Sequence, residues 1–155
     1  MNIYERLETD HEKQRELCEE IKGTRGDSKR RNALWAKLHI ELEAHASAEE
    51  QAFYSELMKN PDGTDETRHA VEEHQQMTEM MEVLNNLDMD ADIWMKKFEK
   101  LAHRVIHHVD EEEAEFFPKA KKLFSESEAL EMGKRFEERK PAEVKKQKMV
   151  KQEAA

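Results

Sequence analysis

Residues that interrupt helices are scarce in this chain and fall in few places. Its 155 residues include only 4 glycines and 3 prolines. The breaks lie at 23–28, 60–63 and 88–92, and helical periodicity fills the stretches 3–22, 30–58, 65–87 and 92–123. Long helices with short connections pack as antiparallel neighbours. The sequence therefore predicts an all-α protein built as an up-down-up-down four-helix bundle.

A shorter fifth helix is predicted after the bundle. Ser125 and Glu128 have the spacing of a capping box, and we expect the helix that they open to end before Pro141. The remaining residues to Ala155 are rich in Lys, Glu and Gln, and we expect them to fray. We therefore divide the chain into a four-helix bundle over 1–124 and a short C-terminal helix with a basic, partly flexible tail over 125–155.

The charge distribution argues against a nucleic-acid partner. The net charge is −10, and residues 1–133 hold 18 basic and 32 acidic side chains, against 8 and 4 in residues 134–155. A body this acidic repels a phosphate backbone. The basic tail is predicted to be a solvated helix end, with an anionic partner as the alternative. The lack of an apolar run, of a signal peptide and of any cysteine besides Cys18 indicates a cytoplasmic protein without a membrane partner.

A histidine and a glutamate of the second stretch share its apolar face. At about 100° per residue, Glu49 lies roughly 40° from His45, and Leu38 and Leu42 lie roughly 20° and 60° from it. Both polar side chains are therefore predicted to point into the bundle core. An unpaired charge there would cost several kcal/mol.

The fourth stretch contains two overlapping His-x-x-x-Glu pairs, which the same rotation separates. With His108 as the reference, the apolar residues and Glu112 fall on one side, roughly 20° to 100° away. His107 and Glu111 fall on the other side, at roughly −100° and −60°. The inward pair is therefore predicted to be His108 and Glu112.

The first and third stretches each add one inward histidine, His11 and His74. A single inward histidine is more often a hydrogen-bonded core residue, and a single inward His–Glu pair can be a buried ion pair. Four imidazoles and two carboxylates in one core fit neither alternative well. A pair of divalent metal ions accommodates them, because carboxylates bridge both ions and imidazoles occupy terminal positions. The histidines at 39, 69, 103 and 107 are predicted to lie at helix surfaces.

These residues resemble the motif of the hemerythrin-like proteins, or HHE cation-binding domains, over about residues 4–123. The resemblance is carried by four short segments: Asp10-His11, His45-Ala-Ser-Ala-Glu49-Glu50, Glu73-His74, and His108-Val-Asp-Glu-Glu112-Glu113 followed by Phe117-Pro118. Ferritin-like bundles are disfavoured, since they pair Glu and His at i,i+3.

The resemblance implies a non-haem di-iron centre with an oxo or hydroxo bridge, with zinc or another divalent metal as a substitute. It implies that His11 and His45 bind one iron and that His74 and His108 bind the other. Glu49 and Glu112 would be the bridging carboxylates.

One position departs from the oxygen-carrying members of the family. These have a fifth histidine one turn after the third-helix ligand, where this chain has Thr78. Tyr54 and Phe117 each lie nine residues after an HxxxE histidine, which on an ideal helix places them roughly 180° from it, so packing is their expected role. A local unwinding would bring Tyr54 to the metal as an additional ligand, which makes Tyr54 and Thr78 secondary candidates for the site.

Open coordination at Thr78 favours turnover of oxygen species over storage of O2. We therefore expect a protein that binds or turns over O2, peroxide or NO, with catalase-like or peroxidase-like decomposition of peroxide favoured. The alternative is a non-enzymatic module that senses oxygen, redox state or iron, or only binds metal. The sequence favours a monomer without determining the oligomeric state.

Overall fold

The computed structural model describes residues 1–154 and forms helices throughout, with no strand in that range. The α-helices are α1 (Ile3–Lys22), α2 (Lys29–Glu49), α3 (Ser55–Leu57), α4 (Thr64–Asn85), α5 (Asp92–Glu111), α6 (Phe117–Leu123) and α7 (Glu126–Ala154). A first π segment, Glu50–Tyr54, joins α2 to α3, and a second π segment, Glu112–Phe116, joins α5 to α6. A 3₁₀ turn, Pro61–Gly63, precedes α4.

The predicted bundle is confirmed. Short connections make α1, α2–α3, α4 and α5–α6 successive antiparallel columns, whose ends lie within about two residues of the predicted stretches. Polar side chains fix where the first two begin: Asn2 and Glu5 form a capping box at α1, and the Ser28 hydroxyl accepts the Arg31 amide at α2.

Two apolar clusters divide the core along the bundle axis. The first cluster includes Leu7, Phe53 and Phe117, and the second includes Trp35 and Trp94. On every column, the inward histidine lies in the sequence between members of the two clusters. The histidines therefore occupy a polar layer between two apolar layers. None of the helices in residues 1–154 combines the length and apolarity that a bilayer crossing needs.

The C-terminal helix differs from its prediction. The capping box is present, since the Glu128 amide donates to Ser125 Oγ at 3.1 Å, but the predicted stop before Pro141 is wrong. Helix α7 continues through Pro141 to Ala154 and packs on α1, α2 and the first π segment. Proline removes one helical hydrogen bond, and the burial of Phe136 and Lys140 against the bundle compensates for it. The division of the chain at residue 124 stays a prediction.

Candidate metal centre

The six residues predicted to point inward are all buried, each with 6% or less of its surface exposed: His11, His45, Glu49, His74, His108 and Glu112. The register chosen for the fourth column is the one that the structure has, because the His107 side chain is 57% exposed and that of His108 only 5%. Of the remaining histidines, His69 and His103 are also exposed, whereas His39 is half-buried against Trp35.

Two groups of potential ligand atoms share one carboxylate. His11, His45, Glu49 and Glu112 form the first group, and Glu49 forms the second with His74 and His108; within each group the atoms lie within 4.8 Å of one another.

Short distances join imidazoles to carboxylates across these groups. His11 Nε2 lies 3.1 Å from Glu112 Oε1, and His74 Nε2 lies 3.2 Å from Glu49 Oε1. Each glutamate also lies 3.6 Å from the histidine four residues before it. Glu49 and Glu112 therefore lie between the histidines that the sequence assigned to two different ions.

Each of the four histidines also has a carboxylate on its other ring nitrogen. The Nδ1 atoms lie 2.6 to 2.8 Å from carboxylate oxygens in four pairs: His11–Glu113, His45–Asp10, His74–Glu50 and His108–Glu73. The sequence analysis assigned no role to these four carboxylates. The available signal was their position, since each is adjacent in sequence to one of the six inward residues.

These outer carboxylates determine which nitrogen faces the centre. A carboxylate accepts a hydrogen bond from Nδ1–H, so the neutral imidazole presents the lone pair of Nε2 to the interior. His74 Nε2 and His108 Nε2 approach to 3.2 Å in this arrangement. At this distance one of the two rings must be protonated on both nitrogens and donate to the other. A cation between the rings would replace that proton and bind both lone pairs.

Several buried atoms at the centre have no hydrogen-bond partner among the described residues. They are Nε2 of His11 and His45, both carboxylate oxygens of Glu49, and Glu112 Oε1. Buried polar atoms normally have partners, and leaving a charged one unpaired is costly. Imidazole and carboxylate donors suit divalent transition-metal ions. The residues present therefore fit a metal pair.

In the metal-free protein, protons on the histidines neutralise part of the buried negative charge. Burial lowers the pKa of His11, but the nearby carboxylates of Glu112 and Glu113 outweigh burial and raise it to about 10. The pKa of His74 rises to about 10 in the same way, through Glu49 and Glu50. Burial raises the pKa of Glu49, yet His45 and His74 hold it well below its usual range. Metal binding must therefore release protons from the site.

Tyr54 reaches the centre, so the expectation that it only packs is wrong. It lies at the end of the first π segment, is 1% exposed, and its hydroxyl donates to Glu112 Oε2. Burial, and after it the charge of Glu112, raise the pKa of this phenol well above 10. Phe117, the equivalent residue in the other half, packs as expected, with its ring stacked on His11 at a centroid distance of 6.0 Å.

The structure does not bring Thr78 to the centre. Its hydroxyl donates to Glu43 Oε1 at 2.8 Å, and it belongs to neither group of potential ligands.

A buried lysine on α7 extends the network. Lys140 Nζ lies 2.6 Å from Asp10 Oδ2 and 3.0 Å from both carboxylate oxygens of Glu41. Asp10 is the acceptor for His45, so Lys140 connects α7 to the centre through one carboxylate. Nothing in the sequence indicated a role for Lys140, because it falls at the predicted end of a short helix, directly before Pro141.

A family model and a solved structure resemble this chain over most of its length. The family model described as hemerythrin HHE cation binding domain matches residues 2–120. The crystal structure of a hemerythrin HHE cation-binding domain-containing protein from Mycobacterium kansasii superposes with a TM-score of 0.85, covering 94% of this chain and 89% of that chain at 24% identity. This likeness establishes the fold.

A curated relative is longer than this chain. A protein named DNA nickase from Nostoc sp. (strain PCC 7120) is 26% identical over 117 residues, which are 76% of this chain and 33% of the relative. This chain thus spans about a third of the length of that protein. The family model covers most of the chain, including all six inward histidines and glutamates, and the chain therefore belongs to the hemerythrin HHE cation-binding domain family.

Proposed function

We propose that the chain holds a non-haem di-iron centre. His11 and His45 would bind one iron, His74 and His108 the other, and Glu49 and Glu112 would bridge them. The observation that carries this proposal is the set of buried, unpartnered donor atoms that converge between four Nε2 lone pairs. Family membership supports a cation, and the donor set suits iron, with zinc as a substitute.

A bound iron pair would supply binding and electron transfer for O2, peroxide or NO. The protein's own residues position the metal ligands and exclude water from them. The outer carboxylates fix each ring and increase the basicity of its Nε2, and the two apolar clusters keep bulk water away. The Tyr54 hydroxyl holds Glu112 in place and is the nearest phenolic proton to that carboxylate.

A polar cavity of about 230 Å³ supports turnover rather than closed storage. It lies between α2, α4 and α7, and its lining includes Glu50, His74 and Thr78. A small ligand would thus approach the ion held by His74 and His108. Because Thr78 supplies no imidazole there, we propose decomposition of peroxide, catalase-like or peroxidase-like, ahead of O2 storage.

The alternative is a non-enzymatic sensor or metal-binding module. The contact of Lys140 with Asp10 favours this second candidate, because a change at His45 would reach α7 through two hydrogen bonds. The lone, buried Cys18 fits a reducing cytoplasm in either case. The nickase name describes a longer protein, and we propose no nicking activity for this chain.

Metal analysis with spectroscopy tests the proposal. We expect two irons per chain, absorption of a bridged iron pair near the ultraviolet edge, and rapid peroxide consumption. His45→Ala and Glu112→Ala should each abolish paired loading. His103→Ala, an exposed histidine on α5, is the matched control and should retain it.

The outcomes separate the candidates. Less than one iron per chain without the bridged absorption would contradict the di-iron centre. Two bound irons with slow peroxide consumption would favour sensing over catalysis.

A further inference from the structure

A second pair of HxxxE motifs lies on the outer side of the bundle. His69 and Glu73 have this spacing on α4, and His107 and Glu111 have it on α5. Helices α4 and α5 pack against each other, which brings the two motifs together outside the inner centre. The proposed di-iron function uses neither of these histidines.

The donor atoms of this outer cluster approach each other closely. His69 Nε2 lies 2.7 Å from Glu111 Oε1 and 3.3 Å from Glu73 Oε1, and the donor atoms of these three residues lie within 4.8 Å of one another. His107 Nε2 lies 3.6 Å from the other oxygen of Glu111. One carboxylate thus lies between two imidazoles.

The contact between His69 and Glu111 is not a hydrogen bond. Glu111 Oε1 is buried and has no hydrogen-bond partner within residues 1–154, although an imidazole nitrogen lies 2.7 Å away. The inner centre shows the same combination, with His11 Nε2 close to an unpartnered Glu112 oxygen. In both places donor atoms converge without bonding to one another, which is the arrangement that a cation would complete.

Neighbouring side chains hold two of the donor residues in position. Glu73 accepts a hydrogen bond from Nδ1 of His108 at 2.8 Å, and the His69 ring packs edge-on against Phe116 at a centroid distance of 5.9 Å. The imidazoles remain accessible, since the side chains of His69 and His107 are 48% and 57% exposed. A cation from solution can therefore reach a partly preformed site.

We propose that His69, Glu73, His107 and Glu111 form a second divalent-cation site, separate from the inner centre. Two neutral imidazoles and two carboxylates carry a formal charge that balances a divalent ion. Nitrogen and oxygen donors at this ratio suit Zn²⁺ and related transition-metal ions more than Mg²⁺ or Ca²⁺. The assignment does not depend on which metal occupies the inner centre.

Zinc titration of the iron-loaded protein tests the site. Isothermal calorimetry should show one additional Zn²⁺ per chain, with iron content unchanged during the titration. His69→Ala should weaken this binding by more than about tenfold, equivalent to about 1.4 kcal/mol. His103→Ala removes an exposed histidine of α5 that is outside the cluster and should leave the isotherm unchanged. Equal isotherms for these two variants would overturn the proposal.

A second variant separates this site from the inner centre. The His45→Ala variant has a disrupted inner centre but an intact outer cluster. It should therefore still bind the additional Zn²⁺, which the His69→Ala variant binds more weakly. His69→Ala alone should retain the helical circular dichroism, the iron content and the visible spectrum of the unaltered protein. If His45→Ala loses the additional zinc and His69→Ala retains it, the zinc occupies the inner centre. The proposal of an outer site is then wrong.

Discussion

Each of the four inward histidines donates a hydrogen bond to a carboxylate, and that carboxylate is adjacent in sequence to another of the six inward residues. Asp10 and Glu73 each come directly before an inward histidine, yet each accepts from the histidine of the next HxxxE motif, His45 and His108 respectively. Each of these short segments therefore supplies one potential metal ligand. Its adjacent carboxylate orients a second potential ligand, which lies on another helix.

The remaining two carboxylates connect the halves of the bundle. Glu50 follows Glu49 and accepts from His74, whereas Glu113 follows Glu112 and accepts from His11. The same pattern, used twice along the chain, therefore closes a ring of hydrogen bonds around the centre. Its separate parts support one another, so each histidine ring is fixed before any metal binds.

Tyr54 and Tyr4 provide a matched test at the residue scale. Tyr54 donates to the buried Glu112 carboxylate, whereas the Tyr4 hydroxyl is buried and has no partner in the part of the chain that the structure describes. Tyr54→Phe should lower the unfolding free energy of the metal-free protein by about 1.5–3 kcal/mol, because a hydrogen bond to a charged group is lost. Tyr4→Phe should be neutral or slightly stabilising. Denaturant unfolding in the presence of a chelator measures both; equal losses would contradict a contribution from the Tyr54–Glu112 bond.

Side-chain directions could be predicted from sequence only where the helix is regular. Helix α5 is α-helical through Glu111, so rotation by about 100° per residue correctly separated His108 from His107. The prediction for Tyr54 failed because this residue ends a π segment. One additional residue in a turn rotates later side chains back by roughly 100°, from the outside of the helix onto its inward face.

At the scale of elements, the two π segments occupy equivalent positions in the two halves. The first begins directly after Glu49, and the second begins at Glu112. Tyr54, the last residue of the first segment, lies edge-on to His74, and Phe117, which directly follows the second segment, stacks on His11. Each π segment thus brings an aromatic residue beside a histidine of the other half. Nothing in the composition of these segments signals the wider turn.

Gly133 controls how closely α7 approaches the start of α1. A Cβ atom there would lie 2.5 Å from the Met1 carbonyl oxygen and 2.9 Å from the Asn2 carbonyl carbon, both backbone atoms. Alanine favours a helix by about 1 kcal/mol over glycine. We nevertheless expect Gly133→Ala to lower the unfolding free energy by at least about 1 kcal/mol, since overpacking typically costs more than propensity gains.

Gly23→Ala is the control for this prediction. Gly23 has a negative φ, and a Cβ there would make only an ordinary contact, 3.4 Å from the Glu20 carbonyl oxygen. The unfolding free energy of the Gly23→Ala variant should differ from that of the unaltered chain by less than about 0.5 kcal/mol. Thermal and denaturant unfolding measure both variants. A Gly133→Ala protein as stable as the unaltered chain would mean that the α1–α7 contact yields without cost.

Helix α7 also marks where sequence reasoning fails for an element. Local rules correctly located its start at the Ser125–Glu128 box, and the same rules wrongly ended it at Pro141. Tertiary packing decided the outcome, because Phe136 and Lys140 lie in the interface with the bundle. A lysine that pairs with Asp10 and Glu41 from distant helices leaves no local signature.

At the scale of the whole molecule, the bundle buries a charged layer between two apolar ones. Glu49 and Glu112 are fully buried, and their compensation in the metal-free protein rests on protonated histidines and Tyr54. The apolar clusters on both sides supply the burial that stabilises the fold despite this layer. The centre is therefore the part of the core that gains most from a bound cation.

Metal removal should destabilise the entire bundle, because the proposed ligands come from all four columns. An ion that binds only the folded chain adds about 2.7 kcal/mol when its free concentration is about one hundred times the dissociation constant. For a domain of this size the midpoint of thermal unfolding should then fall by roughly 5–10 °C on chelation. His103→Ala should show the same fall, whereas His45→Ala should unfold at one temperature with or without iron. Scanning calorimetry of the three proteins, each with iron and with chelator, measures this, and an unchanged midpoint for the unaltered chain would argue that its metal does not connect the four columns.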